Sequence, residues 1–162
     1  MAITKQKKAE IVKEIESIVD GAESMVFVKF TGLPVAETTA MRKGLRENGV
    51  GYRVAKKTLM RRVLAKKGFA GELPELEGEV ALAYGTEALT PSREVYTFTK
   101  QYRDKVVIVG GIFEKKYMNA SEMTVIASIP PIKVLRGQFL NLINSPIQRI
   151  VIALDRIAEK KT

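Results

Sequence analysis

From its N-terminus to Ala127 the chain alternates between two hydrophobic periods, and few folds accept that alternation. Ile3 to Ile18 carries Ile11, Val12, Ile15 and Ile18 with charges between them, which is helical spacing, and Gly21 is placed to end the helix. Ser24–Phe30 (SMVFVKF) alternates and is rich in β-formers, so it reads as a strand. A helix over Val35–Glu47, closed by Asn48-Gly49, leads to a short strand at Gly51–Ala55. A basic helix over Thr58–Lys66 stops at Gly68, and the stretch Phe69–Gly78 is turn-rich. Strands at Glu79–Tyr84 and Val106–Phe113 flank a helix at Pro91–Tyr102, and a short helix covers Ala120–Ala127. Gly110-Gly111 interrupts the last strand and marks a bulge or a close backbone approach. This pattern predicts an α/β domain, a small sheet covered by helices; strand order is not readable from it. With 162 residues, 46% of them hydrophobic, a real core can form, and with no Trp it must be largely aliphatic.

The pattern changes at Ser128-Ile129-Pro130-Pro131, a stiff break that divides a globular domain (residues 1–129) from a C-terminal segment (residues 130–162). Ile132, Leu135, Phe139 and Leu142 give the segment helical spacing up to Ile143. Asn144-Ser145-Pro146 then reads as a second break, with Ser145 as N-cap and Pro146 at the first helical position. The last helix, Pro146 to about Lys160, places Ile147, Ile150, Val151, Leu154, Ile157 and Ala158 on one face. The two breaks predict a projecting helical spine. A helix of about four turns is marginal alone in water, so its apolar stripe needs cover. The core of the same chain, a second chain or a membrane surface can supply it; Asp155 and the shortage of bulky aromatics count against the membrane.

Several function classes are excluded by what the sequence lacks. There is no His and no Cys, which removes imidazole and thiolate metal sites and the Ser–His and Cys–His nucleophile systems. No phosphate-cradling Gly-rich loop followed by Lys-Ser/Thr occurs. Carboxylates such as Glu75 and Glu77 sit in an acidic, turn-rich stretch that suits solvation. No catalysis, metal or cofactor is expected. The basic start, MAITKQKKAE, is not followed by an apolar stretch, so it does not read as a secretory signal and a cytoplasmic location is expected.

The net charge is +9, and it is segregated. Residues 1–67 carry 15 Lys/Arg against 7 Asp/Glu, residues 68–130 carry 6 against 9, and residues 131–162 carry 6 against 2. A polyanionic partner is therefore expected at the N-terminal portion. The densest run is Arg53-Val54-Ala55-Lys56-Lys57-Thr58-Leu59-Met60-Arg61-Arg62. There a strand ends at Lys56 and Lys57 and a helix starts near Thr58, so outward N–H groups and cationic side chains make a phosphate site. Arg61 and Arg62 follow on the next turn, and Arg42, Lys43 and Arg46 on the preceding helix add charge. Such contacts position a protein on a backbone; for RNA, folded shape and 2′-hydroxyls would supply specificity. An ordinary basic helix with a solvated face carries the same residue types, and both readings stand at this level.

At these residues the chain resembles the bacterial large-subunit ribosomal protein family numbered ten, the stalk-base proteins. Lys7-Lys8-Ala9-Glu10-Ile11-Val12 is similar to that family's first helix, and Gly32-Leu33 with Val35-Ala36-Glu37 to its first strand-to-helix loop. Leu45-Arg46, Tyr52-Arg53-Val54-Ala55-Lys56 and Thr58-Leu59 with Arg61-Arg62 resemble its most diagnostic stretch, with Lys57 where the family usually has Asn. Gly110-Gly111 and Glu114 resemble its Gly-Gly-x-x-Glu-Gly segment, with Lys115 in place of the last Gly, and Ser145-Pro146-Ile147 resembles its hinge. The resemblance implies that the N-terminal domain binds the stalk-base region of large-subunit ribosomal RNA beside the neighbouring protein numbered eleven, through Lys7, Lys8, Arg42, Lys43, Arg46, Arg53, Lys56, Lys57, Thr58, Arg61 and Arg62. It also implies that the last helix binds dimers of the acidic stalk protein numbered seven/twelve, which recruit translational GTPases. With the helix ending at Thr162, two such dimers are expected.

Overall fold

A computed structural model describes residues 5–76, 78–102 and 105–161. The chain divides into two compact units, Met1–Ile129 and Pro130–Thr162. The first contains α1 (Lys5–Gly21), β1 (Ser24–Phe30), α2 (Val35–Glu47), β2 (Gly51–Val54), α3 (Lys57–Lys67), β3 (Val80–Gly85), α4 (Thr90–Gln101), β4 (Val106–Phe113), β5 (Lys116–Asn119) and α5 (Ala120–Ala127). The second is α6 (Ile132–Lys161). The α/β class and the helices and strands read from the sequence are present, with ends displaced by a residue or two; Ile3, where the first helix was expected to begin, lies outside the described residues.

The sheet has the order β2-β3-β1-β4-β5, and every neighbouring pair is antiparallel. β1 lies in the middle and is buried on both faces. Its side chains alternate between the two faces, as strand geometry requires. Met25 and Phe27 join Ile15 and Val19 of α1 and Leu59, Met60, Val63 and Leu64 of α3 in one core. Val26 and Val28 join Met41 and Leu45 of α2, Val95 of α4 and Met123 of α5 in the other.

Gly110-Gly111 serves both roles that the sequence left open. Phe27 pairs with Gly110 but Val28 pairs with Ile108, so Val109 is the extra residue of a bulge. One inserted residue reverses the facing of everything beyond it. Val106 and Ile108 accordingly enter the α2–α4–α5 core, whereas Ile112 enters the α1–α3 core. Close packing follows at Gly111, where an added Cβ would stand 2.5 Å from the Met25 carbonyl oxygen and 2.7 Å from Met123 Cε.

Two features depart from the sequence reading. β5 was not expected. It has four residues, and its two-residue turn from β4 uses Glu114 (φ 50°) and Lys115 (φ 62°) in place of the Asn-Gly that usually announces such a turn. Lys115 thus occupies a left-handed position at the point where the resembling family has glycine. The second departure is at Pro146. The expected break and new N-cap at Ser145 do not form, and α6 runs through Pro146 as one helix of 30 residues. Proline removes one N–H and crowds the preceding turn, and the turns on either side carry the helix across the missing bond.

Two opposite stability effects are expected here. Lys115→Gly relieves a left-handed strain of about 1–2 kcal/mol, part of which glycine's greater freedom in the unfolded chain cancels. A net gain of about 0.5–1 kcal/mol should appear as a higher urea midpoint. Gly111→Ala should lower stability by about 1–3 kcal/mol, because the Met25 carbonyl is sheet backbone and cannot yield. Unchanged midpoints for both variants in equilibrium urea unfolding would contradict this account of β4 and its turn.

Candidate functional site

The apolar face of α3 decides where its charges go. Leu59, Met60, Val63 and Leu64 are buried, so Lys57, Thr58, Arg61 and Arg62 are left on the exposed side. The extended Lys56 (φ −63°, ψ 129°) precedes the helix, and its carbonyl accepts from Leu59 N (2.9 Å) and Met60 N (3.1 Å). The N–H groups of Lys57 and Thr58 come before that first donor, Leu59 N, and point out of the helix start.

Acidic side chains of α1 neutralise one part of the basic surface and leave another part alone. Arg53 Nη2 donates to Glu14 Oε2 at 2.6 Å, Lys66 Nζ donates to Glu16 Oε1 at 3.3 Å, and Lys67 pairs with Asp20. Lys43 and Glu47 pair loosely along α2 at 3.9 Å. Among the described residues, Lys56, Lys57, Arg61 and Arg62 have no ion-pair partner. Exposed pairs of this kind contribute little to stability. Their consequence is electrostatic: along α3 the C-terminal lysines are compensated, and among the described residues the start and first two turns are not.

Two clefts adjoin β2, the edge strand. The first, of about 570 Å³, is lined by Arg42 and Arg46 of α2, Gly51–Val54 of β2 and Tyr84 of β3. The Arg42 guanidinium lies over the Tyr52 ring, 5.5 Å from its centroid. Burial pushes the Tyr52 hydroxyl up to about 12, with Arg42 opposing, so the ring stays neutral in ordinary buffers. Tyr84 packs directly on Gly51, where an added Cβ would stand 2.3 Å from its ring. The second cleft, of about 710 Å³, is lined by Ile11, Phe30, Arg53–Leu59 and Gly78–Val80. Arg53 lines both.

The structure therefore gathers Arg42, Arg46, Arg53, Lys56, Lys57 and Thr58 around the edge of one sheet, with Arg61 and Arg62 further along α3. Lys7, Lys8 and Lys43 are exposed but line neither cleft. The uncharged walls, Tyr52, Tyr84, Ile11 and Phe30, were not in the candidate set drawn from charge. Only the juxtaposition of Tyr52 with Arg53 in the sequence hinted at them.

In the second unit, Ile147, Ile150, Val151, Leu154, Ile157 and Ala158 all lie on exposed helix surface. Because α6 does not break, their face continues upstream. Phe139, Ile143, Ile147, Ile150, Leu154 and Ile157 follow one another at steps of three or four residues, each at least 55% exposed. Phe139 and Ile143 belong to this face and were separated from it in the sequence only by the expected break.

Among the described residues no group of three or more His, Cys, Asp or Glu could hold a metal ion. Glu75 is exposed, and Glu77 lies outside the described residues. No described helix is long and apolar enough to cross a membrane.

Comparison with known proteins gives a consistent answer. The family described as ribosomal protein L10 matches residues 3–100. Relatives named large ribosomal subunit protein uL10 align over almost the whole chain. That of Leptothrix cholodnii is 32% identical over 99% of this chain and 88% of its own length. That of Shouchella clausii is 32% identical over 96% of this chain and 94% of its own, and that of Delftia acidovorans 31% over 100% and 92%. Structural, non-enzymatic proteins of the large ribosomal subunit make up this family, and the chain belongs to it: the ribosomal protein L10 family.

Proposed function

We propose that the chain is a two-ended adaptor at the base of the large-subunit stalk. Its first unit binds large-subunit ribosomal RNA beside the neighbouring protein numbered eleven. Its second unit anchors dimers of the acidic stalk protein numbered seven/twelve, and through them supports recruitment of translational GTPases. The observation that carries this reading is the division of two unsatisfied chemistries between two units. Among the described residues Lys56, Lys57, Arg61 and Arg62 lack ion-pair partners, and the α6 face from Phe139 to Ile157 is apolar and exposed.

Each end then works by a different force. Cations on a rigid helix bind phosphates by charge and counterion release, so binding weakens steeply with salt. Apolar residues on α6 bind by burial, each well-buried side chain contributing about 1.5–3 kcal/mol before ordering costs. A helical stripe in the groove of a partner dimer is a recurring way of covering such a face.

Two experiments test the two ends separately. Changing Lys56, Lys57, Arg61 and Arg62 together to Glu should abolish binding to large-subunit ribosomal RNA in a salt-controlled filter assay, without lowering the thermal midpoint, because all four side chains are exposed. Retained affinity would remove the RNA assignment from α3. Changing Ile147, Ile150, Leu154 and Ile157 to Ser should release the acidic dimers in native mass spectrometry while leaving RNA affinity unchanged. Retention of a full complement of dimers would overturn the assignment to this face.

A further inference from the structure

The second cleft differs in kind from the cations around it. Its walls are apolar and come from four elements and a strand end: Ile11 of α1, Phe30 of β1, Val54 and Ala55 at the end of β2, Leu59 of α3 and Val80 of β3. Val54 is 42% exposed, so this apolar surface faces solvent in the middle of the most basic part of the chain. A volume of about 710 Å³ lies within the range of pockets that hold small organic groups.

Strand order gives the cleft a direction. β3 lies between β2 and β1, so the Lys56–Lys57 side and the Phe30 side are separated by two strand spacings, about 10 Å. Lys56, Lys57 and the opening N–H groups of α3 favour an anion at the β2 side. At the β1 side stands an aromatic ring, Phe30. Glu79, just before β3 and with its backbone carbonyl accepting from Phe30 N (3.2 Å), lines the cleft between the two sides. A carboxylate there repels a phosphate and accepts hydrogen bonds from amino and imino groups. The occupant that fits has an anionic end and a flat, apolar-faced end bearing N–H donors. A nucleotide has both.

We propose that this cleft receives one unstacked nucleobase of the bound RNA, set against Phe30, with the adjoining phosphate held at Lys56, Lys57 and the start of α3. The inference rests on the RNA-binding reading above and adds to it. Phosphate contacts alone carry no sequence information. A single-stranded or bulged nucleotide in an aromatic-lined cleft is how RNA sequence and shape are commonly read. The cleft therefore places a specificity element beside the electrostatic one, and Glu79 favours bases that present N–H groups at their edge.

The full chain and purified large-subunit ribosomal RNA are sufficient for the test. Phe30→Leu keeps the cleft apolar and removes the ring, and Ala55→Phe fills the cleft; neither changes charge. Each should lower affinity in a filter assay by roughly tenfold, with the salt slope of the wild-type chain retained. Equal affinity for wild type and both variants overturns base insertion and leaves RNA binding standing. If the wild-type chain binds this RNA no better than an unrelated transfer RNA, the RNA reading fails and the inference falls with it. Should either variant fold poorly by thermal unfolding, ultraviolet cross-linking of the wild-type complex with peptide mass spectrometry decides. A nucleotide attached at Phe30 supports the cleft, and cross-links confined to peptides outside Ile11, Phe30 and Val54–Leu59 overturn it.

Discussion

β1 has to be covered on both faces, and most of the first unit is arranged to do so. Met25, Val26, Phe27 and Val28 are each at most 1% exposed. A strand whose successive side chains are all apolar cannot turn one face to water, because that would leave two of the four solvated, and an edge position would add unpaired backbone groups. It takes the centre of the sheet, with β3 and β4 beside it and helices on both sides. α1 and α3 close one face, and α2, α4 and α5 close the other. β2 is thereby left at an edge, and the bulge at Val109 redirects the end of β4 so that Ile112 reaches the α1–α3 core.

The basic surface follows from that packing. α3 and α1 share one face of the sheet, which brings Glu14, Glu16 and Asp20 within reach of Arg53, Lys66 and Lys67. The pairs quench the positive field over the C-terminal half of α3. They leave it at Lys56, Lys57, Arg61 and Arg62, beside an edge strand whose outer side is lined by arginine and tyrosine. Within α3 the charge without an ion-pair partner among the described residues therefore lies at the start and first two turns, a local patch suited to a polyanion.

The second unit obeys different rules. A 30-residue helix with large aliphatic side chains on exposed surface buries little apolar area within its own unit. Helical propensity alone holds such an element weakly, and the interactions that order it belong to whatever covers the stripe. Membership of a ribosomal protein family agrees with this arrangement, since a component of a large assembly can carry surfaces that other components complete.

The sequence by itself determined everything that depends on local period and residue type. Helix and strand spacing announced the elements of the first unit other than β5, the Arg53–Arg62 run announced a basic helix start, and Ile147 to Ala158 announced an apolar face. These signals are carried by neighbours within one or two turns. Strand order, the β1-centred sheet and the two clefts were decided only by tertiary structure, because they depend on which distant apolar faces bury one another. β5 escaped notice because Glu114-Lys115 forms a turn that sequence rules assign to Asn and Gly. Pro146 misled because a proline is compatible with a helix start and with a helix interior, and only the flanking turns choose between them. The partitioning of cations into paired and unpaired was equally hidden. Arg53 meets Glu14 across 39 positions of chain, and nothing in the composition of either segment says that α1 and α3 lie side by side.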